Sequence, residues 1–126
     1  MPRFAILDHD WPEPHADLLL ENEATLLTWR LPPIAVEAAE GRAVPYTEPV
    51  VATRLPDHRR LYLEYEGPVS GDRGRVRRID EGVFEWIERD AARWVIELAG
   101  RRFAGRIELT VEDASTGRAR LSWTGR

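Results

Sequence analysis

Short runs of β-prone residues separated by turn residues recur along almost the whole chain, and this pattern restricts the fold more than any other feature. Proline and glycine end the runs, because proline cannot donate a hydrogen bond to a sheet and glycine accepts turn conformations. Such a series at near-regular spacing is typical of a small antiparallel β-barrel or a strongly curled sheet. The predicted strands are Arg3–Asp8, Ala16–Glu21, Thr25–Arg30, Arg60–Tyr65, Gly74–Asp80, Val83–Ile87, Arg93–Leu98, Arg102–Val111 and Ala119–Thr124.

The remaining segments predict little helix and one domain. Ile34–Glu40 is the only stretch with a helical pattern, and Gly41 follows it. Because there is no internal repeat and no linker, we expect residues 1–126 to form a single mainly β domain that buries a core. The apolar run Phe4–Leu7 is too short for a signal sequence, and no run is long enough to span a membrane. A cytoplasmic location is the default expectation.

The charged and aromatic residues favour some partners over others. The chain contains 18 basic residues, all of them arginine, and its net charge is −4. Arginine forms paired hydrogen bonds with phosphate, although exclusive use of arginine also follows from a GC-rich genome. The acidic balance argues against tight coating of a nucleic-acid duplex. Most of the five tryptophans are interpreted as core or barrel-mouth packing rather than as platforms for bases.

The first two histidines and a nearby aspartate form a candidate metal site. His9, His15 and Asp17 lie within nine residues of one another, and two imidazoles with one carboxylate suit a divalent cation. If the segment after His15 is a strand, His15, Asp17 and Leu19 share one face, and aliphatic residues take the other. The chain has no cysteine, so any metal depends on His, Asp and Glu ligands. Isolated histidines are also common without a metal, so spacing alone leaves both interpretations open.

A longer comparison of motifs identifies a resemblance. The segment His9–Glu21 is similar to the signature His-Asp-x4-His-x-Asp-x-Arg-Leu-Glu of the 3′-phosphoesterase domain of bacterial DNA ligase D. Leu26–Pro32 resembles the segment of that family around its Ser-Trp pair, and Asp57–Gly67 resembles its Asp-His-x3-Tyr-x2-Phe-Glu-Gly segment. Weaker similarity continues through Gly74–Trp86 and Leu98–Gly105. The resemblance therefore covers nearly the whole chain, as a compact relative without ligase or polymerase modules.

The resemblance implies a manganese-dependent β-barrel phosphoesterase that trims 3′-phosphates or 3′-ribonucleotides in DNA repair. By position, His9, His15 and Asp17 correspond to metal ligands, and His58 and Tyr62 to catalytic groups at the scissile phosphate. Mn²⁺ is the expected metal, with Zn²⁺, Co²⁺ or Fe²⁺ as alternatives. The expected partners are the 3′ end of DNA or RNA-tailed DNA and the repair ligase machinery. No membrane partner is expected, and the chain is expected to be a monomer.

This chain departs from the family pattern at two positions. Where the family has a phosphate-binding arginine two residues after the aspartate, this chain has Leu19, and Pro56 replaces an acidic residue before His58. Arg30 and Arg54 lie in or beside the matching motifs, so we predict that one of them binds the phosphate instead. Losing such an arginine without a substitute removes about 1.5–3 kcal/mol of charge-assisted hydrogen bonding.

Two other functions fit parts of the same pattern. His15, Asp17 and His58 match the two-histidine, one-carboxylate ligand set of non-haem metal oxygenases, which are also β-barrels, but this leaves His9 without a role. The replacement by Leu19 also fits a catalytically decayed nucleic-acid or adaptor module of the same fold. These alternatives remain open from the sequence.

Overall fold

The computed structural model describes residues 1–35 and 44–125, and these form a closed antiparallel β-barrel of eight strands. The barrel order is β1-β2-β3-β4-β9-β8-β7-β6, and β6 pairs back onto β1 to close it. A two-residue strand, β5, pairs with β6 outside the closed ring. The strands are β1 (Arg3–His9), β2 (His15–Asn22), β3 (Thr25–Leu31), β4 (Val50–Arg59), β5 (Gly67–Pro68), β6 (Arg75–Arg89), β7 (Arg93–Gly100), β8 (Ala104–Asp113) and β9 (Arg118–Thr124).

Every second residue of the barrel strands points into a large apolar core, as the alternation in the sequence predicts. On β1 and β2 the inward residues are Phe4, Ile6, Leu18 and Leu20, all buried. The tryptophans divide as follows: Trp29, Trp94 and Trp123 are buried in this core, Trp86 packs against it, and Trp11 is exposed. The predicted mainly β, barrel-like fold is confirmed.

A second, smaller apolar cluster lies on the outer face of β1, β2 and β3, and we call it the outer cluster. A one-turn 3-10 helix, Arg60–Leu63, follows β4 directly and covers this face with Leu63. The outer cluster consists of Ala5, Leu7, Leu19, Leu26, Leu63 and Val76. Because one side of the barrel wall is apolar on both faces, its strands are buried like those of an internal sheet.

Several predicted boundaries are wrong. Arg60–Tyr65 is not a strand, because the chain turns into the 3-10 helix there, while β4 occupies a segment for which no strand was predicted. The two strands predicted between Gly74 and Ile87 are one long strand, β6, which bridges β1 and β7. Of the predicted helix Ile34–Glu40, residues 36–40 lie outside the described part of the chain, and Ile34 and Ala35 have no regular structure. Within the described ranges, no helix is long and apolar enough to cross a membrane.

A buried aspartate holds the turn between β7 and β8. The Asp80 side chain accepts hydrogen bonds from the backbone N–H groups of Arg101, Arg102 and Phe103, each at 2.9 Å. Gly100 lies so close that an added Cβ would sit 2.2 Å from Asp80 Oδ2. The carboxylate therefore gathers the three backbone donors of this turn, and it satisfies the N–H of Phe103, which is buried.

We expect Asp80→Asn to lower the free energy of unfolding by about 2–3 kcal/mol, because an amide cannot accept all three hydrogen bonds and presents its own donors to backbone N–H groups. Urea denaturation of the variant and the wild type measures this change. Glu85→Gln, an exposed substitution on the same strand, is the control and should leave the midpoint unchanged. Equal midpoints for Asp80→Asn and the wild type would contradict the assigned role.

Candidate metal centre

The two N-terminal histidines meet because of the register between β1 and β2. His9 is the last residue of β1 and His15 the first of β2, and the two are direct cross-strand partners. Asp17 lies two residues along β2 and so faces the same side. Its neighbours Ala16 and Leu18 are in the barrel core, which places all three polar side chains on the outer wall. The prediction that His15 and Asp17 share one face of the strand, with aliphatic residues on the other, agrees with this arrangement.

One nitrogen from each imidazole and the Asp17 carboxylate converge on a single point. His15 Nε2 is 3.1 Å from Asp17 Oδ1, and His9 Nδ1 is 3.5 Å from Asp17 Oδ2. The candidate ligand atoms of the three residues all lie within 4.8 Å of one another. Ligands bound to one cation at about 2.1 Å are separated from each other by about 3 Å. The two distances from the imidazoles to Asp17 therefore fit a shared divalent ion.

Backbone carbonyls determine which imidazole nitrogen faces that point. His15 Nδ1 is 2.8 Å from the carbonyl oxygen of Glu13, and His9 Nε2 is 2.8 Å from that of Arg73. A carbonyl only accepts, so each of these nitrogens carries a proton and donates. In the neutral rings the opposite nitrogens, His15 Nε2 and His9 Nδ1, then carry lone pairs directed toward Asp17. Outer hydrogen bonds of this type orient histidine ligands in metal sites.

Among the described residues, the only ion-pair partners of the Asp17 carboxylate are the two histidines. His15 Nε2 and Asp17 Oδ1 are buried and have no hydrogen-bond partner among the described residues. Burial favours a higher pKa for Asp17, but the imidazoles of His15 and His9 outweigh it and lower the pKa to about 2. The same carboxylate raises the pKa of His9 above its usual value, against the opposing effect of burial. Three electron-rich atoms with one negative charge favour a bound cation, either a proton or a metal ion.

A cleft of about 320 Å³ opens over this cluster, and we call it the histidine cleft. Its walls include two of the three clustered residues and both predicted catalytic residues. The lining residues used below are His9, Trp11, Asp17, Arg30, His58 and Tyr62. Five of the seven predicted site residues therefore line one concave surface: His9, Asp17, Arg30, His58 and Tyr62. His15 and Arg54 do not line it, although His15 contacts Asp17.

His58 reaches the cleft because β4 contains a bulge. Leu55 is paired with Thr28 and His58 with Leu26, so three steps on β4 match two on β3. The extra residue reverses the alternation and brings His58 to the outer face that Leu26 occupies. Tyr62 follows in the 3-10 helix, with its ring centroid 5.9 Å from that of His58. His58 Nδ1 is 3.0 Å from the Pro56 carbonyl oxygen, which leaves Nε2 free to contact a ligand.

The two candidate phosphate-binding arginines lie on opposite faces of the barrel wall. Arg30 is paired with Asp17 and lines the histidine cleft, and its Nε is buried without a hydrogen-bond partner among the described residues. Arg54 is instead paired with Trp29, whose side chain is in the core, and it does not line the cleft. The register thus favours Arg30 over Arg54 as the arginine near the cluster.

The oxygenase ligand set is not brought together in the same way. The group whose ligand atoms lie within 4.8 Å consists of His9, His15 and Asp17, and His58 is not among them. His58 is still close enough for its charge to lower the pKa of Asp17 slightly. His58 therefore lines the cleft without belonging to the converging group.

Sequence reasoning missed two residues of the cleft. Trp11 is 43% exposed and lines the cleft beside His9, whereas most tryptophans were assigned to packing. Arg73 precedes β6, and its backbone carbonyl orients His9. The position of Trp11 between the two histidines was a usable signal; nothing local pointed to the carbonyl of Arg73.

Comparison with models of known protein families gives no match, and comparison with curated proteins gives none either. The function is therefore argued from the residues and geometry of the histidine cleft.

In metal-free protein, His9 should titrate above its usual pKa, because the Asp17 carboxylate favours its protonated form. A raised folded-state pKa contributes stability that is complete below the unfolded pKa of about 6.5 and is lost as the pH rises through the folded value. We expect Asp17→Asn to return the His9 pKa toward 6.5. The variant should then no longer lose this contribution to stability as the pH rises. NMR titration of the His9 ring with a chelator present measures the pKa, and a value at or below 6.5 in the wild type would refute the assignment.

Proposed function

We propose that this protein is a divalent-metal phosphoesterase that acts on 3′ ends of nucleic acid, as its resemblance to the ligase D 3′-phosphoesterase implies. The observation that carries the proposal is the convergence of His9 Nδ1, His15 Nε2 and the Asp17 carboxylate beside a cleft that also contains His58 and Tyr62. These donors fit Mn²⁺, and also Zn²⁺, Co²⁺ or Fe²⁺. A divalent ion held there supplies charge stabilisation at phosphoryl oxygens and lowers the pKa of a bound water.

His58 and Tyr62 supply the polar contacts around the reacting phosphate. His58 Nε2 is free because Nδ1 is engaged by the carbonyl of Pro56. It is suited to donate a hydrogen bond to a phosphate oxygen when protonated, or to protonate the leaving oxygen as general acid. The Tyr62 hydroxyl is a second donor in the same cleft.

Arg30 is the arginine that binds the phosphate in this proposal. It lies opposite Asp17 in the β2–β3 pair, on the outer face and next to the Leu19–Thr28 pair. Leu19 is fully buried in the outer cluster, where the neighbouring side chains are aliphatic. A guanidinium at that position would be desolvated among them, so the neighbouring strand supplies the charge. A buried Nε without a partner supports a ligand for Arg30.

Trp11 supports a nucleotide end as the substrate. Its ring is exposed at the cleft, and the residue before it is tied to β6, because Asp10 Oδ1 accepts the N–H of Arg75 at 2.8 Å. Gly74, with φ of 76°, leaves the space that Asp10 and Trp11 occupy, since an added Cβ would lie 2.6 Å from Trp11 Cβ. An exposed indole at the cleft is a suitable surface on which the terminal base stacks.

Metal binding can be tested directly. We expect stoichiometric Mn²⁺ binding by the wild type and a loss of at least about 100-fold in affinity for His15→Ala, because one of three protein ligands is removed. Isothermal titration calorimetry measures both. His58→Ala is the matched control, because it removes a cleft histidine outside the converging group and should keep Mn²⁺ affinity. Equal affinities of His15→Ala and the wild type would contradict the site.

The same proteins test the reaction. We expect release of a 3′-phosphate or a single 3′-ribonucleotide from a labelled primer-template with Mn²⁺, and no release by His15→Ala. If the wild type binds Mn²⁺ and the 3′-phosphorylated strand without turnover, the protein is a binding module built on this site, and the phosphoesterase proposal fails.

Phosphate binding by Arg30 can be tested by substitution. Arg30→Ala should lower kcat/KM by about 10- to 100-fold, the loss of a charge-assisted contact of about 1.5–3 kcal/mol. Its matched control is Arg77→Ala, on an exposed arginine whose partner is Asp8. Unchanged Mn²⁺ affinity in Arg30→Ala would separate phosphate binding from damage to the metal site. Wild-type kcat/KM in this variant would show that another group binds the phosphate.

A further inference from the structure

A second cavity, distinct from the histidine cleft, lies on the inner side of the barrel wall. Its volume is about 480 Å³, within the range of small-molecule sites. We call it the tryptophan cavity. The residues on which the argument rests are Trp29, Arg54, Arg89, Trp94 and Gly117.

The floor of the tryptophan cavity is rigid and aromatic. The Trp94 ring contacts Trp29 edge-on at 5.3 Å between centroids and Trp86 at 5.4 Å. Trp29 and Trp94 are 2% and 6% exposed, so packing holds both rings in one orientation. The two rings therefore form a rigid support for the groups that pack on them, and little of their own surface faces the cavity.

Two arginines converge on the same ring. Arg54 Cζ is 4.8 Å from the Trp94 centroid, and Arg89 Cζ is 5.3 Å from that centroid and 4.8 Å from that of Trp86. Cation–π contacts hold both guanidinium groups in place. The arrangement places two positive charges beside one indole.

The positive charge is only partly compensated. Arg54 Nη2 pairs with Asp57 at 3.1 Å, but Arg54 Nε is buried with no hydrogen-bond partner in the described part of the chain. Across residues 1–35 and 44–125, Arg89 has no ion pair, and its Nη1 makes a 3.4 Å contact with Asn22 Oδ1. The Asp90 carboxylate at the rim accepts hydrogen bonds from the backbone N–H groups of Ala92 and Arg93 through Oδ1. The cavity therefore retains guanidinium donors for an anion.

The local backbone supports Arg54 in this position. The N–H of Arg54 donates to the carbonyl of Gly117 at 2.8 Å. Gly117 has φ of 77°, and an added Cβ would lie 2.8 Å from the Arg54 carbonyl oxygen. Only glycine fits here, because the turn before β9 approaches β4 this closely.

We propose that the tryptophan cavity is a nucleotide-binding site, in which a planar base stacks on the guanidinium groups that lie over Trp94 and a phosphate is bound by N–H groups of Arg54 and Arg89. The guanidinium groups, held against rigid indoles, account for the base, and their partly unpaired N–H groups account for the phosphate. Arg54 pairs with Asp57, which lines the histidine cleft, so the two sites adjoin at this ion pair. The nucleotide is either free or part of a strand whose end lies in the cleft.

The test is a titration monitored by tryptophan fluorescence, with a chelator present and in the His15→Ala background, so that the metal cluster does not contribute. We expect saturable quenching by adenosine monophosphate and by a short oligonucleotide. Inorganic phosphate and uncharged adenosine should each bind at least about tenfold more weakly, because each lacks one half of the recognised chemistry. Tighter binding of the oligonucleotide than of the mononucleotide would identify a strand as the source, and equal binding would identify the free nucleotide; both support the site.

Arg89→Gln should weaken nucleotide binding at least about tenfold. The residue is exposed, so the variant is expected to fold, and Arg77→Gln is the matched control for a loss of surface charge. Shifts of the Trp94 indole N–H signal in NMR spectra provide a second readout. The proposal is overturned by absence of saturable binding, by equal affinity of Arg89→Gln and the wild type, or by phosphate binding as tightly as the nucleotide. Because the assay needs no metal and no cleavage, its failure would leave the phosphoesterase proposal untouched.

Discussion

The pairing of β1 with β2 is the interaction on which the rest of the structure depends. Its register places His9 opposite His15 and sets Asp17 on the same outer face. The other edge of β1 pairs with β6, which closes the barrel, and the chain just before β6 provides the carbonyl that orients His9. One strand therefore connects the fold to the candidate metal centre. A shift of one residue in either pairing would turn the ligands into the core.

The outer cluster explains how the site departs from the family that the sequence resembles. Leu19 shares its face with Asp17, but it packs under the 3-10 helix with other aliphatic side chains. That packing stabilises the 3-10 helix that carries Tyr62. It also places a leucine where the family has an arginine. Arg30 lies one strand away, opposite Asp17, and has a buried Nε without a partner in the described chain. Stability and the proposed phosphate binding are thus divided between neighbouring strands.

The barrel wall presents different chemistry on its two faces. Adjacent residues of β3, Trp29 and Arg30, belong to the tryptophan cavity and to the histidine cleft respectively. On β4, Arg54 faces the interior with Trp29, and after the bulge His58 faces outward with Leu26. The alternation of a strand lets one short segment serve both surfaces, and the ion pair of Arg54 with Asp57 joins them. β3 and β4 therefore each contribute side chains to both proposed sites.

The sequence alone determined the mainly β class, most strand positions and the shared face of His15 and Asp17, because alternation and turn residues are local properties. It did not predict β4, whose proline and charged residues hide the strand pattern, or the 3-10 helix at Arg60–Leu63. Only the tertiary structure decided that Arg30 and not Arg54 lines the cleft, and that a bulge carries His58 into it. The position of Arg30 and the position of His58 each depend on the register with a neighbouring strand. That register is set by side chains and hydrogen bonds of the neighbouring strand, which is distant in sequence.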